Sequence, residues 1–145
     1  MRISFDLDDT LICYGGVTAC EPRLWWPLRL VIRDEPLRAG ASRLARALCE
    51  RGHELWVYTT SHRSPRFVKV WLRLHGVQIH RVINGVEHNK CFGQGSTPTK
   101  RPDAFGIDLH ICISTIHRAL QLKESYTAFV SAWLAPQRPI GLKSS

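Results

Sequence analysis

Residues 3–12 read Ile3-Ser4-Phe5-Asp6-Leu7-Asp8-Asp9-Thr10-Leu11-Ile12, an apolar run that leads into two carboxylates two residues apart and then a threonine. Continuous apolar runs are typical of strands that are buried on both faces, so residues 3–7 are the first predicted strand. Because alternate side chains of a strand share a face, Asp6 at its end and Asp8 on the following turn can converge. Ligands bind at this carboxyl edge in open α/β sheets.

Two converging carboxylates repel each other unless a cation lies between them. Mg²⁺ suits such a pair, since it takes one or two carboxylates together with waters and phosphate oxygens. One carboxylate can also act as a nucleophile and form an aspartyl-phosphate, while the other transfers a proton. The alternative is a strand that ends in an acidic turn without chemistry, because short motifs are weak when they stand alone.

The stretch resembles motif I of the haloacid dehalogenase (HAD) superfamily of phosphohydrolases, an apolar run followed by Asp-x-Asp-x-Thr. The resemblance implies that Asp6 is the nucleophile and Asp8 the general acid and base. It also implies that the Asp6 carboxylate and the Asp8 main-chain carbonyl bind Mg²⁺. The residues predicted to bind the phosphate are Asp9, Thr10 and, further along the chain, Thr60.

Length and composition favour one globular domain, with 145 residues, 44% of them hydrophobic and 22% charged. No apolar run is long enough to span a bilayer. The early aspartates interrupt the N-terminal apolar run, so we expect no signal peptide and a cytoplasmic location. The five cysteines include no C-x-x-C pair, which argues against both a disulfide framework and a zinc site.

The net charge of +8 implies attraction to anions, and both phosphorylated substrates and nucleic acid qualify. The basic residues are spread along the chain, and many lie on the solvent faces of predicted helices. Solvated surface is therefore their commonest explanation. Nucleic-acid binding stays open as the less favoured alternative.

Apolar periodicity predicts a helix over residues 37–51 and a strand at Leu55–Tyr58, which together with the first strand form a βαβ unit. Ser64-Pro65 predicts the start of another helix that ends at Gly76. Residues 77–83 are a third predicted strand. Asn84-Gly85 is a turn signal, and residues 86–99 are predicted to be a loop that exposes His88 and Cys91.

Residues 13–36 are irregular and contain the aromatic cluster Leu24-Trp25-Trp26-Pro27-Leu28. Since tryptophan is largely buried on average, we expect this cluster to pack in the core or at the domain edge. The alternative is a very small cap or lid over the site. Such a cap would leave the site open to bulky substrates, or to a partner that closes it.

Two later stretches resemble further HAD motifs, and they occur in the expected order. The strand that ends in Thr59 resembles motif II, with Thr60 as the neighbouring candidate. The stretch from Lys100 to His110 resembles motif III, with Lys100 as its lysine and Lys90 as the second candidate. These resemblances imply that Thr59 and Lys100 hold the phosphoryl group. Loop threonines and solvated lysines are the alternatives.

Motif IV should be an apolar strand that ends in two acidic residues. Here Leu109–Ser114 supplies the strand, but Cys112 and Ile113 stand where the acids should be. Neither is a hard oxygen ligand, so we expect weaker Mg²⁺ binding, with Asp103 as the substitute ligand. Asp108 would lie at the wrong end of the strand. An altered last strand also leaves a sheet edge exposed, which favours self-association.

The sequence predicts a single α/β domain with a three-layer, Rossmann-like, HAD-like core, a mostly parallel sheet and an atypical C-terminal part that ends in a tail over residues 136–145. The predicted function is Mg²⁺-dependent phosphate-monoester hydrolysis through an aspartyl-phosphate on Asp6. One alternative is a catalytically impaired HAD-like domain that binds a phosphorylated ligand or a protein partner. The other is a basic nucleic-acid-binding domain.

Overall fold

The computed structural model describes residues 1–14, 19–93 and 100–112. Its centre is strand β1, Arg2–Phe5, which pairs in parallel with β2, Glu54–Tyr58, on one side and with β4, Leu109–Ile111, on the other. Strand β3, Arg81–Ile83, continues the sheet beyond β2, so the order is β3-β2-β1-β4 and every pair is parallel. The predicted α/β class with a mostly parallel sheet is confirmed.

Four helices connect the strands in the described parts of the chain. They are α1 Trp26–Val31, α2 Ala41–Glu50, α3 Pro65–Leu74 and α4 Gly85–Phe92, and a 3₁₀ turn follows at Asp103–Phe105. Helix α2 begins later than the predicted residue 37 because Gly40 has a left-handed φ of 83°. Helix α3 begins as predicted, with Ser64 at the N-cap position and Pro65 in the first turn.

The alternation of side chains along β2 divides the core between the two faces of the sheet. Leu55 and Val57 belong to the larger cluster, which also contains the buried residues of α2 and α3. Trp56 and Tyr58 belong to a smaller cluster with Ile107. Helix α4 contacts this second face, since His88 hydrogen-bonds to the Tyr58 hydroxyl at 2.6 Å.

The prediction of a loop over residues 86–99 is wrong for its first half, which is helix α4. Asn84 caps this helix rather than making a turn, because its side chain accepts a hydrogen bond from the Glu87 N–H at 3.0 Å. His88 is buried rather than exposed, at 4%. The sequence shows no apolar periodicity here, because the buried face of α4 is formed by a glycine and by a histidine that hydrogen-bonds to Tyr58. Residues 94–99 lie outside the described residues.

The expectation that the tryptophan cluster packs in the core or at the domain edge is wrong for its two tryptophans, whereas Leu24 at its start is partly buried against the larger core cluster. Trp25 and Trp26 are 71% and 65% exposed, and α1 has no buried residue. The six residues of this helix are too few to form a full apolar stripe. Of the predictions for the C-terminal part, those that concern Ile113, Ser114 and the tail lie outside the described residues. Within the described residues, no helix is long and apolar enough to cross a membrane.

Candidate functional site

The turn after β1 brings two aspartates to the carboxyl edge of the central strand. The Asp6 N–H still donates to the Ile111 carbonyl of β4 at 2.8 Å, so Asp6 is held against the sheet. The chain then bends back, because the Leu7 carbonyl accepts from the N–H groups of Leu11 at 3.0 Å and Ile12 at 2.8 Å. Asp9 takes a left-handed φ of 57°, a conformation that aspartate tolerates better than most residues.

Arg38 holds this turn in place from the segment that precedes α2. Its Nε donates to the Thr10 carbonyl at 2.7 Å and its Nη2 to the Asp9 carbonyl at 2.6 Å. Asp9 is exposed, whereas Thr10 is buried and its hydroxyl has no hydrogen-bond partner among the described residues. A phosphate oxygen would have to enter this buried position to reach the Thr10 hydroxyl.

Asp6 forms an ion pair with Lys100, between Oδ2 and Nζ, and the two side chains are 19% and 17% exposed. The other carboxylate oxygen of Asp6 accepts from the Leu7 N–H at 2.8 Å. The main chain beside Lys100 is fixed through the next residue, because the Arg101 N–H donates to the buried Tyr58 hydroxyl at 3.1 Å. Lys90, the second candidate for this role, is exposed on α4.

Asp8 is surrounded by donors. Its Oδ1 accepts two hydrogen bonds, one from Arg63 at 2.7 Å and one from the Tyr14 hydroxyl at 2.6 Å. Its Oδ2 accepts one from the Thr59 hydroxyl at 3.4 Å. Partial burial acts to raise the pKa of Asp8, but the hydrogen bonds from Tyr14 and Arg63 and the charge of Arg63 outweigh it and hold the pKa below 3.8. Asp8 is therefore an ionised carboxylate at neutral pH.

Arg63 bridges Asp8 to a second carboxylate, that of Glu35, with Nη2 and Oε2 3.1 Å apart. Tyr14 joins the same network, because it accepts from Arg63 Nη2 at 2.6 Å. Burial and the bond to Asp8 raise the pKa of Tyr14 to about 12, so it remains a protonated donor. Sequence reasoning missed all three of these residues. Arg63 alone carried a signal, since it follows β2 at the same sheet edge.

Thr59 and Thr60 take different positions at the end of β2. Thr59 is buried, its N–H donates to the Ile83 carbonyl at 2.9 Å, and its hydroxyl lies by Asp8. Thr60 is exposed, and its carbonyl oxygen lies against Gly85 of α4, where a Cβ would come within 2.3 Å. The hydroxyl aimed at the aspartate pair is therefore that of Thr59.

The remaining candidate ligands lie away from the two aspartates. Asp103 is 67% exposed and pairs with Arg101 at 3.2 Å, and this bond lowers its pKa. Asp108 accepts from the Arg2 N–H at 2.7 Å and so lies at the start of β1, the opposite end from the site. Cys112 follows β4 at the site edge.

The residues present fit Mg²⁺ only as an ion shared with a phosphoryl group. The described residues contain no cluster of three or more carboxylate, histidine or cysteine side chains suited to a metal ion. The Asp6 carboxylate and the Asp8 carbonyl are nevertheless oxygen donors of the kind that Mg²⁺ takes alongside waters and substrate phosphates. Lys100 and Arg63 meanwhile supply positive charge to the pair.

Comparisons of the chain with protein-family models, with curated proteins and with solved structures found no match.

Proposed function

We propose that the chain is a phosphate-monoester hydrolase with a three-layer, HAD-like core and Asp6 as its nucleophile. The observation that carries the proposal is the pair of aspartates at the carboxyl edge of the central strand, each beside its own cation, Lys100 or Arg63. The layers are supported by helix contacts on both faces of the sheet, from α2 and α3 on one and from α4 on the other. The resemblance of residues 3–12 to motif I agrees with both.

In the first step, a carboxylate oxygen of Asp6 attacks the phosphorus atom of the monoester. The new bond forms as the bond to the leaving oxygen breaks, which yields an aspartyl-phosphate and an alkoxide or phenoxide, and this oxyanion takes a proton from water or from the small fraction of Asp8 that is protonated. Lys100, already beside Asp6, neutralises the charge that the phosphoryl oxygens bring. In the second step, Asp8 takes a proton from water as the water attacks phosphorus. Inorganic phosphate leaves and the Asp6 carboxylate is regenerated.

The protonation state of Asp8 sets the substrate preference. Since the Asp8 pKa lies below its ordinary value, the carboxylate is ionised at neutral pH and has a free site for the proton of water in the second step, although the lowered pKa makes it a weaker base. The same ionisation makes Asp8 a poor acid for the first step. Esters whose leaving group departs without a proton, such as aryl phosphates, are therefore the better substrates. Alkyl phosphates should be hydrolysed more slowly.

A Mg²⁺ ion held by the Asp6 carboxylate and the Asp8 carbonyl would supply further positive charge to the phosphoryl oxygens. Asp103 would join these ligands only after leaving its partner Arg101. The Cys112 side chain, a soft sulfur ligand, adds nothing for a hard cation.

The second candidate function is the binding of a phosphorylated ligand without catalysis. It is favoured by the neutralisation of both aspartates by internal cations, which would leave Asp6 less reactive as a nucleophile. Such a domain would bind phosphate through Lys100 and Arg63 and release it unchanged.

Hydrolysis of an aryl phosphate, measured with Mg²⁺ and with EDTA, separates the two functions. The matched variants are Asp6→Asn at the site and Asp108→Asn at the opposite edge of the sheet, with folding checked by circular dichroism. The hydrolase predicts turnover that needs Mg²⁺, is lost in Asp6→Asn and survives in Asp108→Asn. Equal rates in the wild type and in folded Asp6→Asn would reject the hydrolase, and phosphate binding without turnover would support the second function.

A further inference from the structure

A separate cleft of about 430 Å³ opens beside α1. Its lining combines three arginines with an aromatic side chain, an aliphatic side chain and one carboxylate: Arg23, Arg29, Arg33, Trp26, Leu30 and Asp34. None of these residues takes part in the proposed reaction. The volume is within the range of small-molecule sites, about 300–1,000 Å³.

The carboxylate of this lining is withdrawn from the cleft. Asp34 is 1% exposed at its side chain and pairs with Arg23 at 3.1 Å. It also accepts from Trp71 Nε1 at 3.2 Å and bonds to His75 Nε2 at 2.9 Å. Its oxygens are therefore engaged inside the protein. The negative charge of Asp34 is compensated by Arg23 inside the protein and does not face a ligand in the cleft.

Arg29 and Arg33 are the charges that the cleft presents. Both are exposed, and neither has a carboxylate partner among the residues that the structure describes. Two exposed guanidinium groups in one cleft attract a ligand with more than one negative charge. The backbone of a nucleic acid supplies such charges at regular spacing.

Trp26 gives the cleft an exposed aromatic surface. The Trp26 side chain is 65% exposed and does not belong to the hydrophobic core, and the Leu30 side chain, which also lines the cleft, is 78% exposed. Aromatic side chains within a basic groove are the platforms on which single-stranded nucleic acids stack their bases. A duplex keeps its bases stacked on each other, so the combination favours a single strand.

A chain of adjacent and contacting residues connects the cleft to the aspartate site. Asp34 lines the cleft, and the next residue, Glu35, pairs with Arg63 at 3.1 Å. Arg63 in turn lies 2.7 Å from Asp8. This connection is the reason for assigning the terminal phosphate of a strand bound in the cleft to the aspartate site.

We propose that the cleft formed by Trp26, Arg29 and Arg33 binds single-stranded nucleic acid whose terminal phosphate is the substrate of the neighbouring site. The binding stands on the cleft alone, while the assignment as substrate rests on the proposed function. The ligand stacks a base on Trp26 and places backbone phosphates on the two arginines.

The binding test measures fluorescence anisotropy of a labelled, 5′-phosphorylated oligothymidylate of about a dozen nucleotides, within the site sizes of single-strand binders. Trp26→Ala should weaken binding about 5- to 150-fold, the range for loss of one stacked base. Its matched control is Trp25→Ala, since Trp25 is equally exposed but does not line the cleft. Arg29→Ala/Arg33→Ala should reduce the slope of log affinity against log salt by about 1.4, or 0.7 for each lost phosphate contact.

The charge-matched control is Arg43→Ala/Arg46→Ala, which removes two exposed arginines from α2. Equal effects of the cleft and control variants would overturn the proposal, as would stronger binding of a duplex or of anionic vesicles than of the single strand.

Phosphate release from the same oligonucleotide and from an aryl phosphate separates the two proposals. If the cleft variants bind weakly and raise the KM for the oligonucleotide but not for the aryl phosphate, both the hydrolase and the assignment of the cleft as its substrate-binding site are supported. Binding through the cleft without turnover on either compound overturns the substrate assignment and the hydrolase, and leaves the cleft as a binding site.

Discussion

Arg63 Nη1 lies 2.7 Å from Asp8 Oδ1, and the same guanidinium group reaches Glu35. One arginine thus joins the loop after β2, the turn after β1 and the segment before α2. The relationship ties the protonation of Asp8 to a residue outside the motif-like stretches.

Replacing Arg63 should change the pH dependence of the reaction. Without the charge and hydrogen bond of Arg63, the burial of Asp8 is less opposed, so Arg63→Gln raises the Asp8 pKa. The alkaline limb of kcat/KM for an alkyl phosphate then moves to higher pH, because more Asp8 carries the proton that the leaving group needs. The alkyl-to-aryl rate ratio rises with it. Arg66→Gln, an exposed arginine of α3, is the control, and an unmoved limb in Arg63→Gln would contradict the assigned role of Asp8.

Two lysines provide a direct test of the site geometry. Lys100 pairs with Asp6, whereas Lys90 is exposed on α4. Lys100→Ala should lower kcat about 10²- to 10³-fold, as expected for the loss of one preorganised charge at a developing anion. Lys90→Ala should leave kcat within about twofold, since surface changes have small effects. Steady-state kinetics on an aryl phosphate compare the two, and similar losses in both variants would rule out a specific role for Lys100.

The buried carboxylate of Asp34 should make stability depend on acid pH. Burial acts to raise its pKa, but bonds to His75, the Leu24 N–H and Trp71 and the charge of Arg23 outweigh it, so the pKa lies below 3.8. A carboxyl whose pKa is depressed on folding stabilises the protein above its unfolded pKa, and this contribution is lost as pH falls through the folded value. We expect Asp34→Asn to lower the free energy of unfolding by about 3 kcal/mol at neutral pH, since it breaks a buried pair.

Urea unfolding of Asp34→Asn and of the wild type at several pH values measures this effect. The difference between the two proteins should shrink as the pH falls below 3.8. Asp103→Asn is the control, because its carboxylate is exposed and pairs only at the surface. A difference that stays constant down to the acid limit would show that Asp34 acts through packing alone.

Gly85 is required by the close approach of α4 to the segment that follows β2. A Cβ at this position would lie 2.3 Å from the Thr60 carbonyl oxygen, which is main chain and cannot rotate away. Gly85→Ala should therefore destabilise the protein by about 1–3 kcal/mol, the usual cost of overpacking. Val86→Ala, one residue along the helix and exposed, is the control in thermal unfolding. An unchanged melting temperature for Gly85→Ala would show that α4 can shift away from this segment.

The strands and the first carboxylates could be predicted because their signals are local. An apolar run of four or five residues makes a buried strand, and a charged pair after it marks the end. Helix α4 was missed because its buried face depends on the hydrogen bond between His88 and Tyr58. The exposure of Trp25 and Trp26 could not be predicted from the average burial of tryptophan, because the six-residue helix α1 is too short to pack an apolar face against the core.

The sequence by itself determined the parallel α/β architecture and the place of Asp6 and Asp8, since strand periodicity and a tight turn act over neighbouring residues. Only the tertiary structure decided which distant groups surround them. Lys100 rather than Lys90 reaches Asp6, Arg63 and Tyr14 enclose Asp8, and Arg38 holds the turn. Those contacts join segments far apart in the chain, and the packing of strands and helices brings them together, which no local pattern encodes.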